Sequence, residues 1–242
     1  MEAQKYLKKY LKTDCPLQEK KDITILDVKE KKLTGSLNLV GFTSLRNLFC
    51  SNNKISSLNI RQCSDLEILD CSHNKLSSLN LNGLTNLSMI SCDNNYLSSL
   101  KLTGCSKLQV LSGFNNYLTS LNFLNDLSSK NLKEILIDNN KFIKDNSTSF
   151  DLTPFSRFVN LRVLQLGNWD PKRIEKNKYN HFAGSTEPLK NLNDLDILYI
   201  GNTDVEVKQL PKKLQKVHCS SHKNKQLEEQ HSQIEVPSKT IT

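Results

Sequence analysis

Three consecutive stretches of this chain superimpose residue for residue: 45–65 (LRNLFCSNNKISSLNIRQCSD), 66–86 (LEILDCSHNKLSSLNLNGLTN) and 87–107 (LSMISCDNNYLSSLKLTGCSK). Each is 21 residues long. A fourth unit starts at Leu108 and runs three residues longer, to Asn131, and a fifth opens at Leu132. Weaker units begin at Ile23, Leu161, Leu195 and Leu214, which makes nine candidates. A segment this short cannot bury its own apolar face. It must stack on its neighbours, so the repeat constrains the chain to a quasi-one-dimensional array. Hydrophobic content of only 37% over 242 residues, low for a compact globule, is consistent with that.

Numbering each unit from its first leucine gives the frame L-x-x-L-x-(L/C)-x-x-N-x-L, which matches the leucine-rich-repeat pattern. A short strand carries positions 4 and 6 inward and positions 3 and 5 outward, and position 7 adds to the outward side. The expected fold is an α/β-type leucine-rich-repeat solenoid. It is a curved, right-handed stack of coils with a parallel β-sheet on the concave face. Short extended or 3-10 segments form the convex side, and a helix caps the N-terminus. The cap spans residues 1–22, the solenoid 23–222, and a polar, disordered tail 223–242.

The columns explain residues that otherwise resemble a reactive group. Position 6 holds Cys50, Cys71 and Cys92, then Gly113, Ile137, Leu166, Ile200 and Cys219. A second column holds Cys63, Leu84 and Cys105. Cysteine alternates there with aliphatics, as a small buried hydrophobe does. Neighbouring strands lie about 4.8 Å apart, and a disulfide needs Cβ atoms within roughly 3.5–4.5 Å, so free thiols are expected. Position 9 holds Asn53, Asn74, Asn95, Asn116 and Asn140, where amide side chains can satisfy the backbone as it turns off each strand. His73 falls at position 8, beside Asn52, Asn94 and Asn115, and reads as a surface substitution. Cys71, His73 and Asn74 are therefore three columns of one coil, not a catalytic or metal-binding trio.

Interruptions fall at 143–151 and at 170–188. Long irregular segments often carry function. The second contains Lys172, Arg173, Lys176 and Lys178, a possible site for an acidic partner. Trp169 stands where the coil starting at Leu161 should have its ladder asparagine; it is expected to pack under this insertion, and if exposed it joins the loop site as a binding hot spot. Residues 1–13 read as a helix with Tyr6, Leu7, Tyr10 and Leu11 on one side and lysines on the other, suited to covering the first coil's open edge.

The chemistry of common enzymes is missing. Eight glycines form no phosphate-cradling loop. Asp70 and Glu67 have no further acid placed for acid–base work. His218, Cys219 and His222 do not make a four-ligand zinc site. No enzyme activity, metal, cofactor or small-molecule substrate is expected. The net charge of +8 is uneven: residues 1–32 carry nine lysines against six acids, and 205–225 carry six against one. From 45 to 131 there are seven basic and five acidic residues, so the centre is nearly neutral. This favours solvated ends over a dedicated nucleic-acid or membrane surface. No apolar run suits a membrane span, the first residues lack a signal-peptide core, and the cysteines, seven in number, suggest a reducing compartment. A cytoplasmic monomer is the expectation.

What remains is a surface. Position 5 presents Phe49, Asp70, Leu136, Gln165 and Tyr199, position 3 includes Met89, and position 7 adds Phe114 and Asp138. Aromatic and aliphatic residues on an open strand face, rimmed by polar ones, suit a protein partner. The expected function is a non-enzymatic interaction scaffold or receptor binding a protein through this concave face. The alternatives are a binder of nucleic acid or anionic membrane through the basic ends and loop, and a secreted recognition protein glycosylated at Asn86 or Asn146.

The frames LRNLFCSNNKISSLNI and LEILDCSHNKLSSLNL resemble the cysteine-bearing leucine-rich repeats of intracellular proteins. The flanking words KKLTGSLNLVGFTSLRNL and HFAGSTEPLKNLNDLDILYIGNTD resemble an expanded leucine-rich-repeat family of arbuscular mycorrhizal fungi. The resemblance covers about residues 20–222. It implies a curved solenoid engaged in protein–protein interaction, including signalling roles, with no catalytic residues to transfer.

Overall fold

A computed structural model describes residues 1–14, 16–142, 150–176 and 179–219. The chain divides into two compact units, 1–132 and 133–242.

In the first unit, strands β1 (Ile25–Asp27), β3 (Asn47–Phe49), β5 (Ile68–Asp70), β6 (Met89–Ser91) and β7 (Val110–Ser112) pair in parallel in that order, with β2 (Thr34–Asn38) and β4 (Lys54–Asn59) pairing in parallel on the return side. The register is in phase with the repeat: Leu26, Leu48, Leu69, Ile90 and Leu111 lie opposite one another and are fully buried. A tight turn leads into each strand. Leu45, Leu66, Leu87 and Leu108 donate their N–H groups to the carbonyls of Phe42, Cys63, Leu84 and Cys105. Helix α1 (Ala3–Thr13) buries Ala3 and Leu7 and lies along the free edge of β2. There Thr34 N–H donates to Met1 O at 2.9 Å, and Asn38 N–H donates to Gln4 Oε1 at 2.8 Å. The helix thereby occupies hydrogen-bonding groups that an uncovered edge would present.

The asparagine column joins successive coils. Asn74 Nδ2 donates to Cys50 O of the preceding coil and to Cys71 O and Ser72 O of its own, while its Oδ1 accepts from Ile55 N–H at 2.9 Å. Asn53, Asn95 and Asn116 repeat this arrangement. Cys50, Cys63, Cys71, Cys92 and Cys105 are buried free thiols. Burial raises their titration, that of Cys63 to about 12 and that of Cys105 to about 11, as the hydrophobe reading requires. Position 8 has a conformational reason that the sequence reading missed. Asn52, His73, Asn94 and Asn115 all have φ between 51° and 56°, the left-handed region that asparagine tolerates best among residues with a side chain. His73 is a histidine in an asparagine's backbone position.

The second unit has parallel strands β8 (Glu134–Leu136), β9 (Val163–Gln165), β11 (Ile197–Tyr199) and β13 (Lys216–His218). On the return side β10 (Ala183–Ser185) pairs with β12 (Asp204–Glu206). Short 3-10 turns cover Thr153–Phe155 and Glu187–Leu189. Phe142, Phe155, Phe158 and Phe182 fill the interior.

Three expectations need correction here. Trp169 does not pack under the insertion; it is 58% exposed. Its ladder role is taken by Asn180, twelve positions after Asn168. Asn180 Nδ2 donates to Ile137 O and Leu166 O, the position-6 carbonyls of two successive coils, and its Oδ1 accepts from Asn140 N–H. The insertion is accordingly shorter than 170–188, because the chain has rejoined the repeat by Asn180 and buries Phe182 at once. Cys219 is only half-buried, because β13 ends its sheet and has a neighbour on one side alone. Of the first insertion, 143–149 lies outside the described residues, and Phe150 and Leu152 pack with the repeat. The tail from 220 also lies outside them.

Replacing Asn74 or Asn180 with alanine leaves a buried backbone N–H and shared carbonyls without partners, and each change should cost about 3 kcal/mol. Trp169→Ala should stay within about 0.5 kcal/mol of wild type, as exposed substitutions do. Urea unfolding of the three variants checks both, and a loss at Trp169 matching that at Asn180 would contradict the reassignment.

Candidate functional site

The outward positions of the first unit form three rows across its sheet. Position 3 is apolar except at Asn47, with Ile25 and Met89 55% and 39% exposed and Asn47, Ile68 and Val110 partly so. Position 5 carries Asp27, Phe49, Asp70, Ser91 and Ser112, and position 7 carries Lys29, Ser51, Ser72, Asp93 and Phe114. Phe49, Asp70 and Phe114 are half-buried. At two coils a position-5 aspartate closes a small turn with position 7. Asp27 accepts from Lys29 N–H and pairs with its ammonium at 3.3 Å. Asp70 accepts from the N–H and hydroxyl of Ser72 at 3.1 and 2.7 Å.

Asp93 is the residue that sequence reasoning missed. It stands one position-7 step from Phe114 and is buried against the next coil, where the Ser112 hydroxyl donates to it. Burial pushes its carboxyl up to about 6; the Ser112 and Phe114 N–H hydrogen bonds and His73 oppose that, and the Asp70 charge adds to it. The signal available beforehand was an aspartate at a position where the adjacent coils carry Ser72 and Phe114. Beside this face, Tyr96 and Tyr117 at position 10 form an exposed ring pair with centroids 6.1 Å apart. Asn115 Nδ2 donates to Asn94 Oδ1, and Asn94 Nδ2 lies 3.2 Å from His73 Nε2.

In the second unit, Leu136, Gln165 and Tyr199 share the position-5 row and are half-buried. Tyr199 packs tilted against His218 at 5.5 Å, with the Lys216 ammonium 5.3 Å from its ring centre. Asp138, expected on this surface, is 4% exposed. Of the proposed loop residues, Lys172 and Arg173 sit on the short helix α2 (Pro171–Glu175), which Asp170 caps by accepting from Lys172 N–H. Lys172 and Lys176 are exposed and Arg173 is half-buried. Lys178 lies outside the described residues. The excursion is anchored at its start by buried Asn139, whose Oδ1 accepts from Trp169 N–H at 2.9 Å. No described helix is long and apolar enough to cross a membrane.

No family model matches the chain, and no curated protein matches it in sequence. Solved structures do match in fold. The functional domain of InlJ from Listeria monocytogenes, described as including a cysteine ladder, is 20% identical with a TM-score of 0.56, covering 81% of this chain and 41% of that one. The internalin InlF from Listeria monocytogenes is 18% identical with a TM-score of 0.59, covering 81% and 61%. The plant peptide hormone receptor RGFR1, solved in complex with RGF2, is 19% identical with a TM-score of 0.60, covering 81% and 35%. The chain thus spans between about a third and three-fifths of the length of these proteins. At such identities the likeness establishes the leucine-rich-repeat fold. It does not place the chain in the fungal family.

The titration of Asp93 makes a stability prediction. Because its folded carboxyl binds a proton more readily than an unfolded aspartate, its contribution to stability is present below pH 3.8 and lost as pH rises through about 6. Asp93→Asn keeps an acceptor for Ser112 and removes the buried charge. It should be more stable than wild type at pH 7.5, by up to about 3 kcal/mol. The gap should close as pH falls to 4, read by thermal melts at both values. An equal gap at both pH values would show that the carboxyl is not held up by burial.

Proposed function

We propose that this protein is a non-enzymatic interaction scaffold that binds a protein partner through the outward strand faces of its repeats. The observation that carries this reading is the row of Ile25, Ile68, Met89 and Val110 on a face that also holds Phe49 and Phe114. Such apolar and aromatic area on an open sheet, bordered by serine and aspartate, is the composition of an interface core and rim. Tyr199 and Leu136 supply the corresponding area in the second unit. A strand face built this way is rigid, since every outward side chain is fixed by a ladder residue on either side, and rigidity lowers the ordering cost of binding.

The fold fits the reading. A structural neighbour, the receptor RGFR1, was solved with RGF2 bound, so a leucine-rich-repeat array is compatible with ligand recognition by its surface. On this proposal the protein works as a monomer in a reducing compartment such as the cytoplasm, where the described cysteines remain thiols. The basic residues of the ends keep it soluble, and Trp169 with Lys172 and Arg173 forms a secondary contact.

The test is site-specific photo-crosslinking in cell extract, from benzoylphenylalanine placed at Met89, at Tyr199, or at exposed Arg61 on the return side of the first unit. A partner should be trapped from Met89 or Tyr199 and not from Arg61. Capture at Met89 should disappear in Phe49→Asp/Phe114→Asp, and capture at Tyr199 in Leu136→Asp, with circular dichroism unchanged. Trapping from Arg61 alone would place the site off the strand face and overturn the proposal.

A further inference from the structure

The strand face of the first unit has the opposite charge to the chain. The protein carries +8, yet positions 3, 5 and 7 from Ile25 to Phe114 hold three aspartates and one lysine, a net −2. That lysine shows what the face accepts. Lys29 Nζ lies 3.3 Å from the Asp27 carboxylate and 5.1 Å from the centre of the Phe49 ring, so an ammonium sits between an acid of one coil and an aromatic of the next. Both contacts favour a cation, the first by charge and the second by the negative face of the ring.

The same residue pair recurs further along the sheet. Asp93 and Phe114 also come from consecutive coils, and the bonds from Cys92 N–H to Ser112 O and from Asn94 N–H to Phe114 O, at 2.9 and 3.0 Å, set these two position-7 residues next to one another. Asp70 adds a second carboxylate close enough to act on Asp93. Across the coils that start at Leu66, Leu87 and Leu108, none of the outward positions 3, 5 and 7 is a lysine or arginine. Here the acid and ring are repeated and the cation is not. Keeping a carboxylate buried against Ser112 works against stability, and such a conflict between local and global preference marks functional positions more often than structural ones.

We propose that the strand face of the first unit receives a lysine or arginine side chain of an extended partner peptide, seated against Phe114 beside the carboxylates of Asp93 and Asp70, with apolar residues of the peptide on Ile68, Met89 and Val110. This rests on the strand-face reading above and adds the partner's chemistry to it. The side-chain period of an extended peptide matches the demand, because residues two apart share one side, so a basic residue at one position and an apolar one two further on face rows that lie side by side. Because the protein as a whole repels cations, capture of a basic peptide reports this local surface rather than the overall field.

The test uses the full chain and a fluorescein-labelled twelve-residue peptide, three repeats of Lys-Ser-Val-Ser, which when extended sets lysine and valine alternately on one side, followed by anisotropy. Its counterparts have glutamine or glutamate in place of lysine. The lysine peptide should bind at least about tenfold more tightly than the glutamine peptide, as charge-assisted contacts allow. Asp70→Asn/Asp93→Asn should remove about tenfold of that, and Phe114→Leu several-fold. Asp65→Asn/Asp126→Asn, the same charge change at exposed carboxylates away from the strand face, should leave binding unchanged. Asp93→Asn is expected to stabilise the fold, so lost binding in the double variant cannot be assigned to unfolding, and melts verify this.

Equal binding of the lysine and glutamine peptides, or equal losses from the two double variants, would overturn the proposal. If Met89 crosslinking still traps a partner in that case, the face binds something of other chemistry and the interaction-scaffold reading stands. Self-association of the wild type that competes with the peptide and vanishes in Asp70→Asn/Asp93→Asn would instead make a second copy of the chain the occupant.

Discussion

The amide of one asparagine per coil is the interaction on which the rest of each unit depends. A repeating coil leaves its strand by a turn whose carbonyls point inward, away from solvent. Asn74 resolves this by donating to carbonyls of two coils while accepting an N–H from the earlier one. The bond therefore closes a turn and fixes the spacing to the neighbour at once. Leucine burial supplies the driving force for stacking, but it is non-directional. The asparagine supplies direction, so that strands align in phase and outward rows form at all.

Because the rows are in phase, residues that are 21 or 22 positions apart in the first unit act as neighbours. The bracket around Lys29 and the burial of Asp93 against Ser112 follow from that alignment, whereas the short turns at Asp27 and Asp70 each close within one coil. The next coil buries the Asp93 carboxylate, and this raises its titration without any dedicated pocket. The face carries a net negative charge even though the chain as a whole is basic. A groove of about 240 Å³ between Ser57 and Asn80 on the return side is polar and open, and nothing in its walls matches the juxtaposition of acid and ring on the strand face.

The second unit shows how the array absorbs an interruption. The chain leaves the coil after Asn168 and has rejoined it at Asn180, with Asn139 holding the point of departure. The hydrogen-bond requirement is thus met by a residue that no fixed period identifies. Trp169 is released to solvent because the position it occupies in the frame has been vacated by the turn it was meant to close.

Read alone, the amino-acid sequence determined the period, the strand positions, the buried columns of leucine and cysteine, and the structural role of Asn53, Asn74, Asn95 and Asn116. Each follows from a local pattern repeated at constant spacing, and repetition makes neighbours in space computable from distance in sequence. It also identified Phe49, Asp70, Met89 and Tyr199 as outward residues. Only the tertiary structure decided that Asn180 replaces Trp169, that Asp138 is buried, and that Asp93 is buried against Ser112. Those outcomes depend on where an irregular segment rejoins the stack and on how deeply one coil covers a side chain of another. Both are set by packing between coils, which the spacing of residues along the chain does not encode.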